Sequence, residues 1–418
     1  MARTRLNAWI REEIFGPILT NSTWLLFACA YVWRRVLVRT TFIGITGSLG
    51  KTTTKECLAV VLSSQGRTFR SYENQNSPAG VALNILRVRP WHRYAVIEIA
   101  GASPGMMDRS APLVRPDVAI VLNVLRTHTI VFTGLEQHAI EKAKLLDSLN
   151  PNGSAVLNAD DAFVSQMGGH TRARVYRFGT QPNAEYRVTE VPARWPARLS
   201  FTFEHGATRQ QVDTQLVGSQ WLMSAAAVMT ASVTLGVDVD AAARALKKAE
   251  PFPGRMQPRI LSNGAIVLRD DYAASVDTVE PSLQVLANAT AERRFLVVTD
   301  MSDMGRNRKQ RLKYLAARSA EVSDFAVFIG EIADYGKRRA IEAGLSADSV
   351  HAFDSLRPAA EFLRTELRSG DVVLLKGRTT DHATRIFFAQ LGEVGCWKAD
   401  CRKRMLCDTC WELGFKSH

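Results

Sequence analysis

The sequence predicts an α/β protein of two consecutive domains with mostly parallel sheets, followed by a small four-cysteine tail. Three observations predict it. A glycine-rich loop, Gly44 to Lys55, lies between a short apolar run and a helical stretch. Apolar runs and helical patterns alternate through residues 36–250, the rhythm of parallel strands joined by helices. After Pro251-Phe252-Pro253-Gly254, a turn-forming break, the same rhythm starts again.

Taken in order, residues 1–13 mix charges and suit an amphipathic helix. From Ile14 to Trp33 there is no charged residue, and Arg34-Arg35 follows. That length can span a bilayer. Pro17, Thr20, Asn21, Ser22 and Thr23 interrupt it, so the strongly apolar part is Trp24 to Trp33. Three readings of residues 1–40 stay open: a helix packed on the body or on a partner protein, a membrane anchor or interfacial helix flanked by Arg and Trp, and a cleaved signal peptide. No clear small-residue cleavage site precedes the glycine loop.

Thr41 to Ile45 reads as a buried strand, and Glu56 to Leu62 as a helix. Tyr94 to Ile99, Val118 to Asn123 and Ala155 to Asn158 read as strands, with Leu135 to Leu149 helical between them. Residues 171–217 alternate loosely, with Pro and Arg, and suit an antiparallel appendage. Ser224 to Leu235 is Ala-rich and helical. Beyond the break, strands are expected at Ile266–Leu268, Phe295–Val298, Phe325–Phe328 and Val372–Leu375. The expected domains are 41–250, nucleotide-binding, and 251–395, a Rossmann-like α/β unit, with the tail at 396–418.

The 418 residues are enough for two or three domains. The net charge of +12, from 53 Lys and Arg against 41 Asp and Glu, favours an anionic partner without choosing one. Cys29 and Cys57 lie in apolar segments and suit buried thiols; the other four cysteines fall in the tail. A disulfide framework belongs to small secreted chains, so a reducing cytosol fits better.

Strand, glycine loop, Lys-Thr and helix form a P-loop. Glycines bring backbone N–H groups onto phosphate oxygens, and the helix N-terminus adds positive charge. Lys51 supplies a full charge, and the Thr52 hydroxyl suits Mg2+. The general pattern wants a glycine where Ile45 stands, but Thr46-Gly47-x-x-Gly50-Lys51-Thr52-Thr53 matches a known variant. Gly47, Gly50, Lys51, Thr52 and Thr53 are the expected phosphate-binding set.

Over residues 41–395 the chain resembles the Mur ligases, ATP-dependent amide-bond-forming enzymes, and within them the ligases that add D-alanyl-D-alanine to a UDP-muramoyl tripeptide. The resemblance implies a role for each matching segment. Asn74 and Asn76, in Asn74 to Val81, are expected to face substrate and γ-phosphate. Glu98, at a strand tip, is expected to complete a Mg2+ shell with Thr52. His128 is expected on a second Mg2+, together with a lysine carbamylated by CO2, an anionic oxygen ligand. Of Lys142 and Lys144, Lys144 is the expected ligand and Lys142 the solvated one. Asn158 and Asp161 resemble a nucleotide-contacting turn. Arg255 matches an arginine after the interdomain linker, and Asp271 and Tyr272 an Asp-Tyr-Ala segment that approaches ATP. Lys376 and Arg378 resemble a segment near the incoming amine.

The implied function is activation of a carboxylate as an acyl phosphate and its coupling to an amino acid or peptide amine, with ATP and Mg2+ as cofactors. Lys51, Glu98, His128, Lys144 and Arg255 are the expected catalytic residues. There are departures from the family pattern. About forty residues stand before the P-loop strand, where a precursor-binding domain is usual and is expected to be missing. Gln220-Trp221 replaces a His-Asn, Ala274 a His, and Ala102-Ser103 an Asn-His. The front segment instead resembles that of the poly-γ-glutamate synthetases, so a membrane-associated polymerising ligase is the alternative. A non-catalytic zinc-containing binding protein is the third reading. The chain is expected in the cytoplasm, on the cytoplasmic side of a membrane if associated with one, and nucleic acid is not an expected partner.

The tail spacing Cys396-x4-Cys401-x5-Cys407-x2-Cys410 has the count for a four-thiolate Zn2+ site. Lys398, Arg402, Lys403 and Arg404 would help hold thiolates.

Overall fold

The computed structural model describes residues 23–125, 132, 134–299, 301, 307–401, 403 and 405–417. Helix α1 (Thr23–Val36) buries Leu26, Ala30 and Arg34 against the body. Arg34 is a buried cation satisfied by its surroundings: it donates to the Val114 and Arg115 carbonyls at 2.6 and 2.8 Å and faces Asp117 at 3.4 Å. Trp33 Nε1 donates to the Val88 carbonyl at 2.9 Å. Of the three readings of this segment, these contacts belong to a helix packed on the body. No helix among the described residues is long and apolar enough to cross a membrane. The helix expected over residues 1–13 lies outside the described residues.

The chain then alternates β1 (Thr41–Thr46), α2 (Lys51–Ser63), β2 (Thr68–Arg70), α3 (Pro78–Arg87), β3 (Tyr94–Glu98), α4 (Met106–Val114), β4 (Val118–Val121), α5 (Leu135–Asp147), β5 (Ser154–Asn158) and β6 (Arg174–Gly179). β7 (Tyr186–Val191), β8 (Ser200–His205) and β9 (Thr208–Asp213) follow, then α6 (Leu222–Thr234) and α7 (Val239–Leu246). The strands form one sheet in the order β2-β3-β1-β4-β5-β6-β7-β8-β9. It is parallel through β7, and β7, β8 and β9 pair antiparallel. The expected antiparallel appendage therefore begins later than residue 171, because β6 continues the parallel sheet beside β5. β1 lies between β3 and β4, so the chain reverses its winding there and leaves a crevice at the strands' C-terminal ends. Strands buried on both faces read as near-continuous apolar runs, which is why β1, β3 and β4 were legible.

The second sheet contains β10 (Gln257–Ile260), β11 (Ile266–Asp270), β12 (Arg293–Val298), β13 (Phe325–Ile329), β14 (Val350–Phe353) and β15 (Asp371–Lys376), ordered β10-β11-β15-β12-β13-β14. All pairs but β10–β11 are parallel. Helices α8 (Val276–Ala287), α9 (Arg308–Val322), α10 (Ala333–Glu342), α11 (Leu356–Glu366) and α12 (Thr384–Ala389) cover it. One buried apolar cluster runs from Ile43 and Leu58 through Trp195 to Leu283 and Leu374, so the two sheets share a continuous core. The tail is a closed loop: β16 (Gly392–Glu393) pairs antiparallel with β17 (Lys416–Ser417).

Candidate active site

The loop after β1 follows from its glycines. Gly50 has φ +83°, and a Cβ there would meet Ser224 Oγ of α6 at 2.5 Å. A Cβ on Gly47 would meet the Leu122 Cβ at 2.9 Å. Asn123 shapes the loop: its Oδ1 accepts from the Ser48 and Leu49 N–H groups at 2.9 and 2.8 Å. Lys51 Nζ folds back onto the Gly47 and Ser48 carbonyls at 2.6 and 3.1 Å. Burial lowers the Lys51 pKa, Glu98 opposes that, and Arg255 adds to it. A cation held on carbonyls at the mouth of a glycine loop is poised to exchange them for phosphate oxygens.

Glu98 ends β3 and is paired in register with Ile45 beside the loop. Its Oε2 accepts from Thr52 Oγ1 at 3.0 Å, and its Oε1 from Asn76 Nδ2 at 2.7 Å. Lys55 stands 3.8 Å from the same carboxylate and donates to the Glu73 carbonyl at 2.8 Å. A buried hydroxyl and carboxylate in contact beside a glycine loop are hard oxygen donors of the kind Mg2+ takes.

These groups open on a cleft of about 300 Å³ between the two sheets. Ser48 to Thr52, Asn74, Asn76 and Glu98 line one wall, and Arg255, Tyr272, Ala273 and Arg378 to Thr380 the other. The Arg255 guanidinium lies over the Tyr272 ring, 4.4 Å from its centroid. Burial raises the Tyr272 pKa, and the Glu98 charge adds to the rise, so the phenol stays protonated. A second cavity, of about 760 Å³, lies between Gly218 to Gln220 and α8 and reaches Leu125. The Leu125 N–H donates to Ser48 Oγ at 2.9 Å, so a lining residue of each space is in contact with the other.

Several expected residues stand elsewhere. Lys376 is fully buried: it donates to Asp270 and to the Ala273 carbonyl and does not line the cleft. Asp271 faces Arg269 and Thr384 in the interior. Asn158 donates to the Leu122 carbonyl at 2.8 Å, and Asp161 accepts from the Val124, Phe163 and Val164 N–H groups. Both fix the loop that follows β4. Trp221 is a buried core residue, while Gln220 lines the larger cavity. His128 lies outside the described residues.

The two lysines of α5 are reversed from expectation. Lys144 lies on the surface, bridging Asp108 at 2.6 Å and Glu141 at 2.9 Å, and those bonds raise its pKa. Lys142 is only 1% exposed. Its pKa is lowered well below the ordinary value by burial and by the Lys51 charge, against Glu141 and Asp161. Two residues apart on a helix, the side chains point about 200° apart, so burying one exposes the other. Asn123, Lys55, Ala273, Thr379 and Thr380 are further site residues that sequence reading missed. A polar residue closing the apolar run before Val124 was the available signal for Asn123.

In the tail, Cys396, Cys401, Cys407 and Cys410 are unpaired and line one small cavity. Among the described residues, no three Cys, His, Asp or Glu side chains are grouped as a metal site.

The description "Mur ligase middle domain" matches residues 45–232, and "Mur ligase, glutamate ligase domain" residues 254–379. The UDP-N-acetylmuramoyl-tripeptide–D-alanyl-D-alanine ligase of Mycobacterium tuberculosis (strain CDC 1551 / Oshkosh) is 30% identical over 358 residues, 80% of this chain and 70% of that one. The chain belongs to the Mur ligase family. The ligase of the same name from Escherichia coli (strain K12) is 31% identical over 293 residues, which are 69% of this Mur ligase and 64% of that enzyme's length. The MurF ligase of Thermotoga maritima, solved in complex with ADP, superimposes with a TM-score of 0.74 at 26% identity, covering 87% of this chain and 83% of that one. MurF from Acinetobacter baumannii has a TM-score of 0.80 at 24% identity, covering 87% and 79%, a likeness of fold. ATP and Mg2+ are the cofactors expected of the family.

Proposed function

We propose that this family member is an ATP-dependent amide-bond-forming ligase. The observation that carries the reading is one cleft that joins the phosphate loop, Glu98 and Asn76 to Arg255, Tyr272 and Arg378 of the other sheet. A carboxylate oxygen of the substrate attacks the γ-phosphorus, the bond to the bridging oxygen breaks, and ADP leaves. The amine nitrogen then attacks the acyl carbon, the bond to the phosphate oxygen breaks, and phosphate leaves with the amine proton passing to solvent. Lys51 and the loop amides bind the triphosphate and offset its charge. Thr52 and Glu98 would hold Mg2+, which when bound neutralises phosphate charge. Arg255 and Arg378 supply positive charge from the opposite wall, and closure of 251–395 on 41–250 excludes water. The larger cavity beside Gln220 suits the adenine.

For the second Mg2+, we assign the carbamate to Lys142 rather than Lys144. Carbamylation needs a neutral amine, and the depressed pKa of Lys142 supports that. Lys144 is held charged by two carboxylates. The named relatives lend no support to the polymerising or the non-catalytic alternative. Use of ATP agrees with a cytoplasmic location, and the exposed Trp24, Leu25 and Tyr31 on α1 would serve a docking role.

The test is phosphate release from ATP and Mg2+ over a panel of peptide carboxylates and amines, with D-alanyl-D-alanine, the dipeptide in the relatives' names, among the amines. Release that requires both partners, with the coupled product seen by mass spectrometry, is expected. ATP binding without amine-dependent release in any combination would overturn the reading.

A further inference from the structure

The tail carries chemistry that the cleft does not use. Its two ends are paired at Gly392–Ser417 and Glu393–Lys416, and the Gly395 N–H bonds the Leu413 carbonyl at 2.9 Å. Among the described residues inside this loop, only Leu406 and Leu413 join two of the cysteines as buried apolar residues. So small an apolar set does not hold 26 residues in one shape by itself. All four thiols, with His382 and Arg385 of the second sheet's layer, line a single cavity of about 10 Å³, the size of one ion or water. Cys407 and Cys410 are joined by a tight turn, the Cys410 N–H bonding the Cys407 carbonyl at 3.1 Å. His382 Nδ1 stands 3.4 Å from Cys407 Sγ.

The turn reaches two places that matter. Asp408 takes a two-pronged bond from Arg269, at 2.7 and 3.0 Å. Arg269 is 1% exposed and also contacts Asp271, the residue before Tyr272 of the cleft wall. Thr409 Oγ1 donates to Glu73 at 3.2 Å, in the loop that carries Asn74 and Asn76. The tail therefore touches both walls' supports.

We infer that Cys396, Cys401, Cys407 and Cys410 bind one zinc ion as four thiolates, and that this metal-held turn sets Asp408 on Arg269 and Thr409 on Glu73. Four thiols give up four protons to solvent as the four S–Zn bonds form. The doubly negative centre that results is offset by Arg385 and Lys403, which line the same cavity. Four soft donors in tetrahedral number favour zinc over the hard cations, and the ion's affinity becomes folding energy for the loop. The metal part stands whether or not the ligase reading holds; the link to the cleft rests on that reading's nucleotide site.

The full chain, purified under reduction, is measured for metal and for accessible thiols. About one zinc per chain is expected, with the tail thiols protected from alkylation until a chelator is added. Metal-free protein with all tail thiols alkylated would overturn the site, as would tail disulfides by mass or iron in place of zinc. Cys407→Ser should lose the zinc; if that variant fails to fold, the wild-type measurement still decides. Asp408→Asn is not a ligand change and should keep the zinc. It should weaken ATP binding, read directly by titration calorimetry, by about 2- to 30-fold, the range for a residue that acts through a packed network. Unchanged ATP affinity with the zinc retained would overturn the link to the cleft. Failure of amine-dependent turnover alone would touch only the ligase reading.

Discussion

Replacing Lys142 separates the two lysines of α5 by a large margin. Lys144 is 28% exposed, and its partner Asp108 is 56% exposed. A pair in that setting contributes about 0–1 kcal/mol. Its other partner, Glu141 at 2.9 Å, is 3% exposed but also accepts from the Gly105 and Met107 N–H groups. Lys144→Met should therefore leave turnover within about twofold and cost about 1–3 kcal/mol of stability. Lys142 is 1% exposed and feels the Lys51 charge. If it carries a metal-binding carbamate, Lys142→Ala removes an anion from the site and should lower kcat by about 10²–10³, the loss typical of one electrostatic stabiliser. Burial and the Lys51 charge disfavour a proton on unmodified Lys142, so Lys142→Met in bicarbonate-free protein should change stability little at neutral pH. The pH dependence has a sign. Between the lowered folded pKa of unmodified Lys142 and 10.5, the unfolded chain binds a proton that the folded chain does not. Stability of bicarbonate-free protein should then rise with pH across that window, and Lys142→Met should flatten the rise. The assay is amine-dependent phosphate release at controlled bicarbonate, with calorimetric Tm. Formate or acetate should partly restore Lys142→Ala. Full turnover in Lys142→Ala, or a large loss in Lys144→Met, would refute the assignment.

Lys51→Ala should abolish ATP turnover while the circular dichroism spectrum and Tm stay close to wild type, since among the described residues its Nζ hydrogen-bonds to loop carbonyls alone; wild-type phosphate release would contradict its role. Glu98→Gln keeps the shape of the side chain, and Lys55 keeps Glu56 at 3.1 Å when the Glu98 charge 3.8 Å away is lost. A stability loss of about 1 kcal/mol and a steep rise in the Mg2+ concentration needed for turnover are expected, both read by denaturation and Mg2+ titration; unchanged Mg2+ dependence would remove Glu98 from the metal site. Gly50→Ala forces a Cβ to 2.5 Å from Ser224 Oγ at a left-handed φ. It should cost about 1–3 kcal/mol and weaken ATP binding, and Ser224→Gly should relieve the contact but not the backbone strain.

The fold was legible where strands are buried on both faces. β1, β3, β4, β11, β12, β13 and β15 each read as an apolar run, and the Pro-Phe-Pro-Gly break announced the restart. β2 and β10 were missed: Thr68-Phe69-Arg70 and Gln257-Pro258-Arg259-Ile260 are short edge strands, whose partly exposed residues carry little apolar signal. In the site, motif residues with local signatures were legible, as at Lys51, Thr52 and Glu98. Residues that act through burial were not. The Lys142–Lys144 choice turns on which face of α5 meets the sheet. The alternation in Glu141-Lys142-Ala143-Lys144 is polar on both faces, so helical periodicity cannot say. Lys376 was expected near the incoming amine because its segment resembles one that lies there in the family; here Asp270, paired in register with it, makes it an interior cation.

That interior placement explains what the second sheet contributes to the cleft. A buried ion pair and an ion triad sit side by side at the ends of β11 and β15: Asp270 with Lys376, and Arg269 with Asp271 and Asp408. Apolar replacements would often be as stable, so burial of these charges needs another reason than stability. Each set is also tied to backbone that lines the cleft. Lys376 holds the Ala273 carbonyl, and Tyr272's carbonyl accepts from both the N–H and the hydroxyl of Thr379. Arg378 in turn is fixed by Asp381, whose other oxygen takes the Thr299 hydroxyl at 2.6 Å. The strand-end loops at 271–274 and 377–381 are thus cross-linked to each other and to the sheet beneath. Under the proposed ligase reading, loops held this way would keep Arg255, Tyr272 and Arg378 facing the glycine loop without reorganising when charge develops, which is the condition for electrostatic stabilisation of a transferring phosphoryl group. An Asp270→Asn change should therefore lower kcat more than it raises the KM for ATP, because it loosens orientation rather than removing a contact. An equal rise in KM with kcat unchanged would mean that the pair serves ground-state binding instead.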